Sequence, residues 1–181
     1  LVCRPLVCRP LLNVECSRRR GNRSTLWALA PQNVRSRSRQ ELKSTFWQRG
    51  GLAELARRQK GVVHRGQLVA AGLSSDVIQG LVRSGFLHRL HRGVYAVGHL
   101  ALPAFAREQA ALLACGQGAV ISHRSAIYLW GLTEVAPTEV DVTVVGRECR
   151  RRAGICRHLR ASIDPRDLRR RHGLPVTSPA R

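Results

Sequence analysis

The sequence predicts an α+β protein: a winged helix-turn-helix followed by a small mixed α/β domain, with a disordered basic N-terminal tail. Three observations carry this prediction. Apolar residues recur at helical spacing from Leu52 to Val82. The period then shortens from 3.6 to 2 over residues 86–97, as a hairpin requires. A second run of helical and alternating patterns follows, flanked by basic segments. The expected boundaries are 1–45 for the tail, 46–99 for the winged domain and 100–181 for the α+β domain.

The first 45 residues mix Arg and Ser, as in Arg35, Ser36, Arg37, Ser38 and Arg39, with few periodic apolar positions. Such composition predicts disorder. Order is expected to begin near Phe46. Leu52, Leu55 and Ala56 stand at i, i+3 and i+4, a first helix ending at Gly61. Val62 and Val63 form a short extended piece. Residues 65–71 read as a second helix, with Leu68 and Val69 inward. In the turn Gly72-Leu73-Ser74, Leu73 plugs the core and Ser74 is placed to cap the next helix.

That third helix is expected over 75–84. Val77, Ile78, Leu81 and Val82 form its apolar face; Ser75, Asp76, Gln79, Gly80 and Arg83 form the other. Two strands, 86–90 and 94–97, are joined by His91-Arg92-Gly93. Helix, helix, turn, helix and hairpin is the element order of a winged helix-turn-helix, whose third helix enters the major groove. Gln pairs with adenine and Arg with guanine, so the polar face suits base edges; Asp76 repels phosphate. The bland alternative is an ordinary solvated face. The expected DNA contacts are Arg65, Ser74, Ser75, Asp76, Gln79 and Arg83 on the helices, and Arg89, His91 and Arg92 on the hairpin.

Further on, residues 104–114 read as an apolar helix stopped by Gly116-Gln117-Gly118, and residues 123–130 as another, capped by Ser122 and closed by Gly131. Residues 140–145 read as a strand with one apolar face, followed by a basic connection over 147–152 and a strand over 155–159. His123 and Arg124 are expected to cap or pack. Ser122 and His123 do not suggest a nucleophile and base, because neighbours in a helix face apart and no orienting acid is indicated.

Charge limits the function. The 181 residues carry 31 Lys and Arg against 11 Asp and Glu, a net charge of +20 and a pI of about 11.7. Only Lys43 and Lys60 are lysines. Net charge is +9 over residues 1–50, +5 over 51–100, −2 over 101–146 and +8 over 147–181. This balance excludes most metabolic enzymes and favours a polyanion, with nucleic acid ahead of an anionic membrane. No apolar run is long enough to span a bilayer.

Six cysteines form no CxxC pair. Cys149, Cys156 and His158 can be drawn as zinc ligands, but their spacing fits no common zinc module. No metal and no cofactor is expected, and reduced cysteines fit a cytoplasmic protein. There is no Met, and LVCRP at 1–5 is repeated at 6–10, so the start is read as sequence duplication rather than a structural repeat or signal peptide.

The stretches VVHRGQLVAAGLS (62–74) and LVRSGFLHRLHRGVYAVG (81–98) resemble the winged-helix domain of AbiEi-type antitoxins. The likeness continues through AVISHRSAIYLWGL (119–132), EVDVTVVGR (139–147) and LPVTSPAR (174–181). HRGVYAVG and SHRSA…WGL are its most specific pieces. The resemblance implies a regulator, not an enzyme: a repressor that binds inverted repeats at its own promoter. It further implies a type IV toxin–antitoxin system in abortive phage infection. The functional partner would be a nucleotidyltransferase-like toxin that the antitoxin does not bind directly. Related proteins continue into a restriction-endonuclease-like domain, so the alternative is the N-terminal part of such a nuclease. The chain stops where LPVTSPAR is expected to lead into a further helix. A restriction-type nuclease needs paired acids and a Lys around a metal, and no strand here presents that set.

Overall fold

The computed structural model describes residues 51–146 and 149–181, together with Glu41 and Ser44. The expected tail over 1–45, apart from Glu41 and Ser44, the start of order near Phe46, and positions 147–148 of the basic connection lie outside the described residues.

Helix α1 (Leu52–Arg58) begins after Gly51, whose φ of 80° is left-handed, and it buries Leu52 and Ala56. Strand β1 (Val62–His64) leads into α2 (Arg65–Ala70). His64 caps α2: its Nδ1 accepts from the Gly66 amide, and its own amide donates to Gln67 Oε1 at 2.8 Å. This reciprocal cap satisfies two otherwise unpaired groups. Leu73 is buried in the turn, as expected, and Ser74 Oγ accepts from the Val77 amide at the start of α3 (Ser75–Arg83). Ile78 and Leu81 of α3 face inward, as the spacing predicts.

Strands β2 (Leu87–His91) and β3 (Val94–Val97) form the hairpin. The turn is the pair Arg92-Gly93, one residue shorter than expected, because His91 still pairs with Val94 across a bulge that follows Arg89. The short piece at Val62 is a true strand: β1 pairs antiparallel with β3, giving the order β1-β3-β2. Alternation splits this sheet between two cores. Val63 and Tyr95 pack with Leu52, Leu68, Ile78 and Leu81, while Val62 and Val94 pack with α4 (Ala106–Cys115).

Helix α4 also packs on the second sheet, so it lies against both. That sheet contains β4 (Ala119–Ile121), β5 (Val140–Val145), β6 (Ile155–Arg160), β7 (Leu168–Arg171) and β8 (Leu174–Thr177), in the order β6-β5-β4-β8-β7. Helix α5 (His123–Leu129) follows β4. Strand β5 departs from expectation. It is buried on both faces, with Asp141 at 2% and Thr143 at 3% exposed, because α4 covers one side and the start of α5 the other.

The last hairpin also differs from the sequence reading. Residues 174–177 pair with β7 as an edge ribbon through His172-Gly173, both at positive φ, as a type I′ connection needs. Trp130 Nε1 donates to the Thr177 carbonyl at 2.9 Å, and Phe105 stacks on His172, which fastens this ribbon to the rest of the fold.

Candidate nucleic-acid interface

Capping and core packing fix the outward face of α3. With Ile78 and Leu81 inside, Ser75, Asp76, Gln79 and Arg83 are exposed. Gln79 and Arg83 are four residues apart, so they share one side of the helix. Arg65, at the start of α2, donates from Nη2 to Ser75 Oγ at 2.7 Å and so joins the first turns of the two helices. The Ser74 hydroxyl is engaged in its cap.

The hairpin is tied to the same place. The Arg65 amide donates to the Gly93 carbonyl at 2.7 Å, and a side chain at Gly93 would meet His64 and Arg65. Arg65 and Arg92 are both exposed, and Gly93, the residue after Arg92, is bonded to the Arg65 backbone. Arg89 is exposed on β2. His91 is half-buried, and its pKa is pushed below the usual imidazole range by burial and then by the positive charge of Arg152. Both effects disfavour its protonated form. On α1, the Arg57 and Arg58 guanidinium groups hold the Glu54 carboxyl down to about 2.

A second polar cluster lies on the other sheet. The parallel register sets Asp141 beside Cys156 and Thr143 beside His158. Period-2 alternation puts all four on one face, toward the start of α5. His158 Nε2 lies 2.9 Å from Asp141 Oδ1 and 3.7 Å from Cys156 Sγ. The rings of His158 and His123 stack with centroids 3.7 Å apart. Thr143 Oγ1 donates to Ser122 Oγ at 2.8 Å, and Ser122 Oγ lies 3.0 Å from His123 Nδ1. Burial and then His158 lower the His123 pKa; burial and then Asp141 raise that of the Cys156 thiol. Ser122, His123, Arg124, Trp130, Arg160 and Arg181 are among the residues lining a cavity of about 690 Å³ beside this cluster.

Two expectations change here. Ser122 occupies the N-cap position of α5, but its side chain makes no cap bond; it turns to Thr143 and His123 instead. It can reach its sequence neighbour because His123 has a φ of 50°, outside helical geometry. Serine, histidine and carboxylate thus do come close, but Asp141 bonds His158 and not His123, so the histidine that faces Ser122 has no carboxylate to orient it. The zinc set drawn from sequence does not assemble, because Cys149 Sγ faces the Arg150 carbonyl and Arg152 instead. Asp164 caps the 3-10 turn over Pro165–Asp167, and Asp167 pairs with Arg181 at 2.6 Å. The sequence reading missed the Asp141–His158 contact. Its only signal was the shared alternation of two strands whose pairing was unknown.

Residues 52–98 match the model of a family described as "Transcriptional regulator, AbiEi antitoxin". That segment runs from the start of α1 to the end of the hairpin. Among curated proteins, none matches the chain.

Proposed function

We propose that this chain, whose segment 52–98 matches the model of an AbiEi antitoxin regulator family, represses transcription by binding duplex DNA as the antitoxin of a type IV toxin–antitoxin system. One observation carries the reading. The exposed side of α3 is continuous with Arg65 and with the hairpin cation Arg92, all inside the matched segment. The element order is that of a winged helix-turn-helix, with α3 as the recognition helix and β2–β3 as the wing. Gln79 and Arg83 read base edges in the major groove. Arg65, Arg89 and Arg92 hold phosphates, and Ser74, Ser75 and Asp76 set the first turn of the helix. His91, half-buried on the same hairpin, has its protonated form disfavoured and contributes less charge than the arginines.

The operator is an inverted repeat at the chain's own promoter. The functional partner is a nucleotidyltransferase-like toxin that forms no stable complex with the antitoxin. The setting is the cytoplasm. Among the described residues no helix is long and apolar enough to cross a membrane. The test is a fluorescence-anisotropy titration of the full chain against a duplex from upstream of its own gene and against a scrambled duplex. Preference for the upstream duplex is expected. Equal affinity for the two would overturn the repressor reading.

A further inference from the structure

We propose that Asp141, Cys156 and His158 form a zinc site on the second sheet. Their ligand atoms, Oδ, Sγ and imidazole N, all lie within 4.8 Å of one another. The arrangement follows from register. In-phase parallel strands bring Asp141 and Cys156 level, and His158 follows two residues later on the same face. A separate observation points to a missing ligand. Asp141 is 2% exposed, yet its Oδ2 has no hydrogen-bond partner. The nearest cation, Arg124 Nε, is 3.6 Å away, on a side chain that is 74% exposed. A buried carboxylate oxygen with no hydrogen bond, and only this long ion pair to an exposed side chain, is costly, and a metal ion would satisfy it.

The donor chemistry selects the metal. Thiolate, imidazole and carboxylate together suit zinc and exclude the hard cations magnesium and calcium. Binding turns the Cys156 thiol into a thiolate, and its proton goes to water. His158 Nε2 exchanges its bond to Asp141 Oδ1 for the metal, and the stacked His123 ring holds its plane. Three protein ligands leave one tetrahedral position for solvent. Thiolate and carboxylate neutralise the dication, so Arg124 and Arg160 nearby do not oppose it strongly.

The test uses the full chain, stripped with a chelator and titrated with zinc alone and with cobalt(II) alone. Wild type is expected to bind an equivalent whose cobalt form shows a thiolate-to-metal charge-transfer band and intense tetrahedral d–d absorption. Cys156→Ser removes that band and one equivalent of zinc, as do Asp141→Asn and His158→Gln for the equivalent, while Cys149→Ser and Cys115→Ser retain both. Circular dichroism establishes that each variant is folded. Three results would overturn the site: no metal taken up by wild type, a cobalt form without a thiolate band, or an unchanged zinc count in folded Cys156→Ser. The second is read on wild type alone, so it decides the matter even where a variant fails to fold.

Discussion

Gln79 and Arg83 separate base reading from simple charge. Both project from the exposed side of α3, and neither is needed for the core. Replacing either by Ala is expected to cost about 1–3 kcal/mol at the operator and much less on scrambled DNA. Arg92→Ala, at the hairpin turn, should weaken both duplexes nearly equally and lower the salt slope by about one contact. Titrations on the two duplexes at two salt concentrations check this. Proportional losses on both duplexes for the Gln79 and Arg83 variants would mean that α3 reads no bases. His91 yields a different prediction. Burial and Arg152 disfavour its protonated form in the folded state, whereas the unfolded chain takes up the proton near an ordinary value of about 6.5. Stability from this residue is therefore complete above about pH 6.5 and is lost as pH falls toward the lower folded value. Melting curves at pH 7.5 and 5.5 should show a larger drop for wild type than for His91→Gln. Equal drops would mean that His91 does not carry the effect.

At the level of elements, the β2–β3 turn depends on Gly93, whose φ is 80° and whose carbonyl accepts from Arg65. Gly93→Ala forces a side chain into left-handed backbone, at a cost of about 1–2 kcal/mol, with its Cβ in ordinary contact with His64 and Arg65. Urea denaturation should show the destabilisation, and an unchanged midpoint would remove the strain argument. Elements stabilised by local sequence were legible: the alternating hairpin and the apolar stripes of α1 and α3 each carry their own period, whereas in α2 Leu68 is buried but Val69, expected inward, is 50% exposed. Elements that depend on distant partners were not. Strand β4 is three residues long and takes its state from β5 and β8 on either side. Strand β7, Leu168–Arg171, is exposed along its length and has no apolar alternation; only pairing with β8 makes it a strand. Arginines on such an edge discourage pairing with another chain. The candidate sites follow the same division. The α3 face could be read from helical period, whereas the Asp141, Cys156 and His158 cluster required knowing that β5 and β6 run parallel in that register.

On the scale of the whole molecule, charge and interior are segregated along the chain. The segment 101–146, net −2, supplies α4, β4, α5 and β5 and keeps Glu108 and Asp141 buried. The excess positive charge therefore falls on the residues before it and after it, including exposed Arg169, Arg170 and Arg171 on β7. A chain of net charge +20 binds polyanions largely by displacing their counterions. Log affinity for any duplex should then fall linearly with log salt, by roughly 0.9 for each phosphate neutralised. Residues 1–45 hold ten of the cations and none of the proposed base contacts. Deleting them should lower affinity for operator and scrambled DNA alike and flatten both slopes, leaving the ratio between the two intact. Anisotropy titrations of both duplexes across a salt series, with and without these residues, measure slope and ratio together. Affinity that is flat from low to moderate salt would reject the phosphate-driven reading. A ratio that collapses on deletion would place sequence recognition in the tail and take it away from α3.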